Sequence, residues 1–437
     1  MEKIDMKKMK RGYFIGDFEP SAFKTDAVEI CSKGASKYTL DAGYYRKKDV
    51  QFIFLNRGSA EINGVKFKKY DLIKFEPGEV INIFALTNIE MTIIRFPGTK
   101  GDLNKVVWND FDEMNSFYHS YLDRLIKLHE EPDNCKKGKS ISSKDVSVVI
   151  QGYADSVITK NTIESVRKYL PDSKVILSTW KECDCSQLDY DEVILNEDPG
   201  ACECGLYAME PIANNGNRQI LSTKKGLEKV KTKYALKLRS DLVLLGNDFL
   251  RYTNVFPEYK KDVRIFKERI VIGELFTRND FVYYDPNGYK HKVPKPFHPS
   301  DWFFFGLTED LNTLYDAVTL IPENEMANYE CNNKNRVENN KYKYSWRYTT
   351  EQHIMLGCVR NKLGFSKFAD WTDWDDEIIE YSKEVMLNNF TILDFCQHKI
   401  LNQKYIPASF ANSGVCYKEW NLMTNKQLSD YYKTNFQ

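Results

Sequence analysis

Between residues 145 and 244, apolar runs of strand length alternate with amphipathic runs of helix length, which restricts this stretch to a layered α/β sheet. DVSVVIQG is a continuous apolar run closed by a glycine, as a buried parallel strand is. TKNTIESVRKYLP follows as a helix, with Thr159 as its expected cap and Pro171 beyond its end. SKVILSTW and DEVILNEDPG read as the second and third strands. NNGNRQILSTKKGLEKVKTK is an amphipathic helix with Ile220, Leu221, Leu227 and Val230 on its apolar side, and YALKLRSDLVLL reads as a fourth strand. A doubly wound sheet of this kind binds ligands beyond the carboxyl ends of its strands, which is where Gln151, Glu197, Asp198 and Asp241 fall.

The preceding part of the chain has a different period. From about Val28 to Gly98, short runs rich in β-branched and aromatic residues are separated by Asn56-Arg57-Gly58, Asn63-Gly64 and Pro77-Gly78, which predicts an all-β barrel or jelly roll. The EING hairpin followed by YDLIKFEPGEV resembles the cupin family over roughly residues 28–98. Metal-binding cupins hold their ion with histidines, yet AGYYRKKDVQFIFLNRG and PGEVINIF contain none and the first histidine of the chain is His119. The resemblance therefore implies a cupin-like jelly roll without a metal site, used for docking, dimerisation or sugar binding. Phe111, Met114, Phe117, Tyr118, Tyr121, Leu122 and Leu125 then recur at helical spacing, and Pro132–Lys144 is polar and rich in breakers. With 437 residues the chain exceeds what one core usually organises. The expected division is a β domain over 1–104, a helical connector and linker over 105–144, and an α/β domain over 145–437.

Charge and thiol usage narrow the function classes. Lys plus Arg and Asp plus Glu balance at 62 each, so no global field draws nucleic acid and any anion site must be local. No apolar run approaches the ~20 residues that cross a bilayer. Without an export signal, the ten cysteines read as reduced thiols of a cytoplasmic protein, with the inner membrane as a candidate peripheral contact. Cys183-Asp184-Cys185 and Cys202-Glu203-Cys204 have the ligand number of a zinc site, but not the usual spacing, and structural Zn²⁺ is not the expectation. Residues 323–345, rich in Asn and Lys, predict an irregular loop on the acceptor side.

The chemistry centres on Lys237-Leu238-Arg239-Ser240-Asp241. A carboxylate at the end of a buried strand is costly unless compensated. A divalent cation bridging a diphosphate would compensate it, and so would an Arg239–Asp241 surface pair or a helix cap.

The ordered series VSVVIQG, VILSTW, NNGNRQILSTKKGL, KTKYALKLRSDL, PFHPSDWFFFGLTED, WRYTTEQHIM and NNFTIL resembles the WavE family of lipopolysaccharide-synthesis proteins, over about 250 residues. That resemblance implies a GT-A fold, the Rossmann-like architecture of nucleotide-diphospho-sugar transferases, and a glycosyltransferase acting on a bacterial surface glycan, lipopolysaccharide or capsule. It implies donor binding by Gln151, Gly152, Asn217, Arg218, Gln219, Arg239 and Asp241, with Asp241 the ligand of Mg²⁺ or Mn²⁺. Arg239 stands where a two-carboxylate DxD motif would have its first Asp, which weakens the case for the metal. Glu351, at a helix start capped by Thr349 or Thr350, and Asp301 compete as the base that deprotonates an acceptor hydroxyl. Helix-dipole stabilisation alone would also explain Glu351. Trp302 and His298 are the candidate acceptor contacts. The expected partners are a nucleotide-sugar donor, a glycan acceptor and a second copy of the chain through the β domain, and no nucleic acid. The competing readings are a non-catalytic glycan- or nucleotide-sugar-binding scaffold and a nucleotidyltransferase; the latter wants a Gly- and Lys-rich loop that QGYADSVITKN does not offer.

Overall fold

The computed structural model describes residues 12–19, 21–128, 137–207, 210–284, 290–327, 329–330, 344–404 and 421–437. The chain divides into two compact units, one assigned Met1–Trp108, Tyr283–His291 and Tyr405–Lys418 and one assigned Asn109–Val282, Lys292–Lys404 and Glu419–Gln437.

The first unit is a double-sheet β structure. One five-stranded sheet orders Tyr13–Ile15, Glu29–Ala35, Ile89–Phe96, Val50–Arg57 and Leu72–Phe75. The other orders Leu103–Lys105, Leu40–Arg46, Ile81–Ala85, Ser59–Ile62 and Val65–Lys68. All pairings are antiparallel. Alternation sends Ile53 and Leu55, Met91 and Ile93, and Ile81 and Ile83 into one buried core between the sheets. Closure of two sheets over an apolar interior is the jelly-roll arrangement that the strand and turn pattern predicts.

The second unit is organised by a seven-stranded sheet. Its strands in chain order are β1 (Val146–Gln151), β2 (Lys174–Trp180), β3 (Glu192–Asn196), β4 (Tyr234–Arg239), β5 (Ile270–Gly273), β6 (Phe303–Leu307) and β7 (Phe390–Leu393), arranged β3-β2-β1-β4-β6-β5-β7. The first four strands are parallel, and β6 runs antiparallel between β4 and β5. β1 is buried along its whole length and β2 from Val175 onward, as their apolar runs require. Helices α1 (Phe111–Leu128), α2 (Ile158–Tyr169), α3 (Gly216–Leu227), α4 (Thr308–Asp316), α5 (Thr350–Leu363), α6 (Asp376–Asn389) and α7 (Asn425–Phe436) complete the layers.

Three local readings differ from the structure. α2 starts one residue before Thr159; the capping carboxylate is Asp155, whose Oδ1 accepts from the backbone N–H of Val157 and Ile158 at 2.8 and 2.7 Å. YALKLRSDLVLL is two strands rather than one. Ser240 donates its N–H to Gln151, and Leu242–Leu244 leaves the sheet to pair antiparallel with Ile400–Asn402. The helix expected to join the domains, α1, lies in the second unit, where Tyr169 donates to Asn115 at 2.9 Å and His119 contacts the same hydroxyl at 2.8 Å. Of the linker Pro132–Lys144, residues 132–136 lie outside the described residues. Among the described residues no helix is long and apolar enough to cross a membrane.

Candidate functional site

The order β3-β2-β1-β4 places a topological switch between β1 and β4, because the chain builds outward on one side of β1 and then returns to the other. Gln151 and Arg239 are register partners at the carboxyl ends of those two strands. β6 is antiparallel, so the residues just before Phe303 reach the same edge, and Leu238 pairs with Phe303 there. A cavity of about 1030 Å³ opens at this edge. Its lining draws on the ends of β1, β2 and β4, on the segment before β6, and on the first turns of α2, α3 and α5. The first turns of all three helices already have side-chain acceptors, Asp155 for Val157 and Ile158, Asn214 for Gly216 and Thr349 for Gln352.

Of the sequence-predicted residues, Gln151, Gly152, Arg218, Gln219, Arg239, Asp241, Asp301 and Glu351 all line this cavity. Gly152 has φ +119°, and a Cβ there would meet Ser240 Oγ at 3.1 Å, so only glycine fits between the two strand ends. Gln151 is buried and its Oε1 accepts from Ser222 of α3 at 2.8 Å. Arg218 grips Asp198 with Nε at 2.8 Å from Oδ1 and donates Nη1 to Asn215 at 2.9 Å. That hydrogen bond holds the Asp198 carboxyl below its ordinary range.

Three of the predicted residues do not reach the cavity. Asn217 clamps the backbone of Ile321, donating Nδ2 to its carbonyl at 2.9 Å and accepting its N–H at 2.7 Å. Neighbours on a helix point about 100° apart, so Arg218 faces the cavity and Asn217 does not. Trp302, next to Asp301, is absent from the cavity lining, and its ring meets Phe276 edge-on at 5.7 Å. His298 is buried 3.8 Å from Glu351 Oε2; burial, then Arg278 and Lys295, push its pKa well below the ordinary value and keep it neutral.

Asp241 is buried and doubly paired. Arg239 donates Nε to Oδ1 at 3.0 Å and Nη2 to Oδ2 at 2.8 Å, and Lys404 stands 3.3 Å from Oδ2. Burial raises the carboxyl's pKa, but Arg239 and Lys404 outweigh it and hold the group below its usual range. The described residues contain no group of three or more His, Cys, Asp or Glu side chains placed to share a metal ion. One carboxylate already held by two cations is a poor donor set for Mg²⁺ or Mn²⁺, so the residues present do not fit the expected metal role of Asp241. For the cysteine pairs, Cys183 and Cys185 are buried, Cys183 accepting from Thr179 at 3.3 Å, and the side chain of Cys204 lies outside the described residues. Of residues 323–345, Glu323–Met326 form a helical turn and 331–343 lie outside the described residues.

The two candidate acids sit in different settings. Glu351 occupies the first turn of α5, whose cap is Thr349 in a reciprocal box with Gln352. Asp301 is held above its ordinary pKa by burial and by the charge of Glu351, with Lys237 and Arg239 acting in the opposite sense.

Sequence reasoning missed Lys237 and Lys404. Lys237 is fully buried in β4, donates to the backbone carbonyl of Asp301, and is pushed down to about 8 by burial. The fall from 10.5 to about 8 corresponds to on the order of 3 kcal/mol at ~1.4 kcal/mol per tenfold change in proton affinity. Below pH 8 the folded state bears the whole cost of the buried charge. Between pH 8 and 10.5 it sheds the proton that the unfolded chain keeps, so stability from this group rises with pH across that window. Lys237→Met is therefore expected to raise the thermal midpoint at pH 7 and to gain much less at pH 10.5, which melts at the two pH values would read directly.

A family model described as WavE lipopolysaccharide synthesis matches residues 146–437. No curated protein matches the chain. Among solved structures, a double-stranded β-helix protein from Klebsiella pneumoniae is 18% identical, covering 19% of this chain and 76% of that one at TM-score 0.18. KdgF from Halomonas sp. is 11% identical over 17% and 74%, at 0.17. A cupin protein from Bacteroides fragilis is 15% identical over 17% and 69%, at 0.15.

Proposed function

Because the chain belongs to the WavE lipopolysaccharide synthesis family, we propose that its second unit is a GT-A glycosyltransferase that moves a sugar from a nucleotide donor to a surface-glycan acceptor. The observation that carries this reading is the convergence of Gln151, Arg218, Arg239, Asp241, Asp301 and Glu351 on one cavity at the sheet's switch point. Arg218, Arg239 and Lys404 line that cavity as the cations a diphosphate would meet, alongside the carboxylates of Asp155, Glu182, Asp198, Asp241, Asp301 and Glu351. In an inverting displacement the acceptor hydroxyl oxygen bonds the anomeric carbon while the bond from that carbon to the phosphate oxygen breaks. The hydroxyl proton passes to Glu351, and the nucleoside diphosphate leaves with its charge met by Arg239 and Lys404. We assign the base to Glu351, which enters the cavity from the first turn of α5, with Asp301 as the competing acid in the same lining.

Calorimetry with UDP-, GDP- and CMP-sugars, each with and without EDTA, tests this. One donor is expected to bind, with an affinity that EDTA leaves within about twofold, and to be hydrolysed slowly without acceptor. A protein that binds none of them is a scaffold, and one whose binding collapses in EDTA holds its diphosphate through a metal.

A further inference from the structure

We propose that His298 positions Glu351 for proton abstraction, an inference that rests on the transferase reading of the cavity. The imidazole donates Nε2–H to one carboxylate oxygen and leaves the other to take the acceptor's proton. His298 Nε2 stands 3.8 Å from Glu351 Oε2; the His298 side chain is 4% exposed, whereas that of Glu351 retains 22% and lines the cavity. The pair thus runs from packed interior to cavity wall. At 3.8 Å it is longer than a hydrogen bond, and bonds to a catalytic base commonly tighten only with the reacting groups in place.

The backbone that carries His298 is strained and fixed. Phe297 has φ +57°, a left-handed conformation rare for a bulky side chain, and is fully buried against Phe365 and Tyr381. Its N–H donates to Ser382 Oγ of α6 at 2.6 Å, the His298 carbonyl accepts from the Arg278 N–H at 3.0 Å, and the Ser300 N–H donates to Thr277 Oγ1 at 3.0 Å. Gln352 joins the two partners. Its Oε1 completes the cap of α5 at Thr349, while its Nε2 donates to the Pro296 carbonyl at 2.8 Å. One buried side chain therefore sets the helix turn that bears Glu351 against the turn that bears His298.

The hydrogen bonds also select the ring's tautomer. His298 Nδ1 is buried without a partner among the described residues, and its own carbonyl, the local acceptor, takes the N–H of Arg278. A hydrogen on Nδ1 would leave an orphan donor there and aim the Nε2 lone pair at a carboxylate. A hydrogen on Nε2 avoids both costs. Burial, Arg278 and Lys295 keep the ring neutral, with Asp301 acting in the opposite sense. Neutrality matters because Asp198 and Asp241 in the same lining are held by cations, which quench a carboxylate as a base. A neutral donor orients Glu351 and leaves its charge in place, and His298 itself gains and loses no proton.

Transfer kinetics and nitrogen NMR of the full chain carrying labelled histidine test this. His298→Leu is expected to lower kcat about tenfold with the donor KM within about twofold. His298→Gln keeps an N–H donor and should recover most of kcat, and His298→Leu should cost nothing further in a Glu351→Gln background. The His298 ring should show Nε2 protonated and Nδ1 bare, with the Nε2 resonance displaced by Glu351→Gln. A ring protonated at Nδ1, an Nε2 resonance indifferent to Glu351→Gln, or equal losses of kcat in His298→Gln and His298→Leu would overturn the proposal. So would the signature of a purely structural His298, a lower thermal midpoint with kcat of the folded protein unchanged. If no nucleotide sugar binds the unsubstituted chain, the transferase reading fails, while the ring resonances still decide the contact with Glu351.

Discussion

Glu351→Gln is expected to lower the rate constant of sugar transfer by ~10²–10⁴-fold, the usual contribution of a positioned general base, while leaving donor affinity within a few-fold. The substitution keeps the side-chain volume, and the Thr349–Gln352 capping box that starts α5 does not involve it. Loss of folding is therefore not the expected cause of the defect, and circular dichroism checks this. Asp301→Asn is the necessary companion, because both acids line the same cavity and the charge of Glu351 raises the pKa of Asp301. If Asp301→Asn took the large loss and Glu351→Gln stayed within about threefold, the assignment of the base would reverse. Donor hydrolysis and acceptor transfer should be measured separately, since water and acceptor need not use the same base.

Arg239→Met carries the second large effect. It removes both bonds of a two-point grip on Asp241 and leaves a buried carboxylate beside Lys404 alone. Breaking one side of a buried pair costs roughly 3 kcal/mol, here toward the low end because Lys404 remains. The expected result is a lower denaturation midpoint together with a donor affinity reduced more than tenfold. Arg239→Met combined with Asp241→Asn separates the two consequences. Neutralising the carboxylate should restore most of the stability, whereas donor affinity should stay low, because the cation facing the diphosphate is still missing. A stable double variant that binds donor normally would mean that the pair is a structural strut of the strand end and nothing more.

Much of the site was legible in the sequence for an identifiable reason. Strand ends in an α/β sheet are marked by the change from apolar run to glycine or charge, so the sequence alone places Gln151, Gly152, Arg239 and Asp241 at one edge. Glu351 was readable as a first-turn residue because Thr-Thr-Glu-Gln spells a capping box. Asn217 and Trp302 failed because membership of a promising segment does not fix direction. One residue along the chain can turn a side chain from the cavity into the packing, as at Asn217 and Trp302.

The sequence by itself determined the two architectures and the edge of the sheet at which chemistry would collect, because both follow from periodicities of two and 3.6 that the chain carries locally. Only the tertiary structure shows what Asp241 is paired with. Lys404 lies far along the chain, and it reaches Asp241 because Leu242–Leu244 leaves the main sheet to pair with Ile400–Asn402, so that Gln403 donates its N–H to the Asp241 carbonyl. That long-range pairing, together with the bidentate grip of Arg239, turns a residue that resembled a metal ligand into the centre of a buried cationic clamp. Charge compensation depends on distances in space, and neither spacing nor composition encodes them.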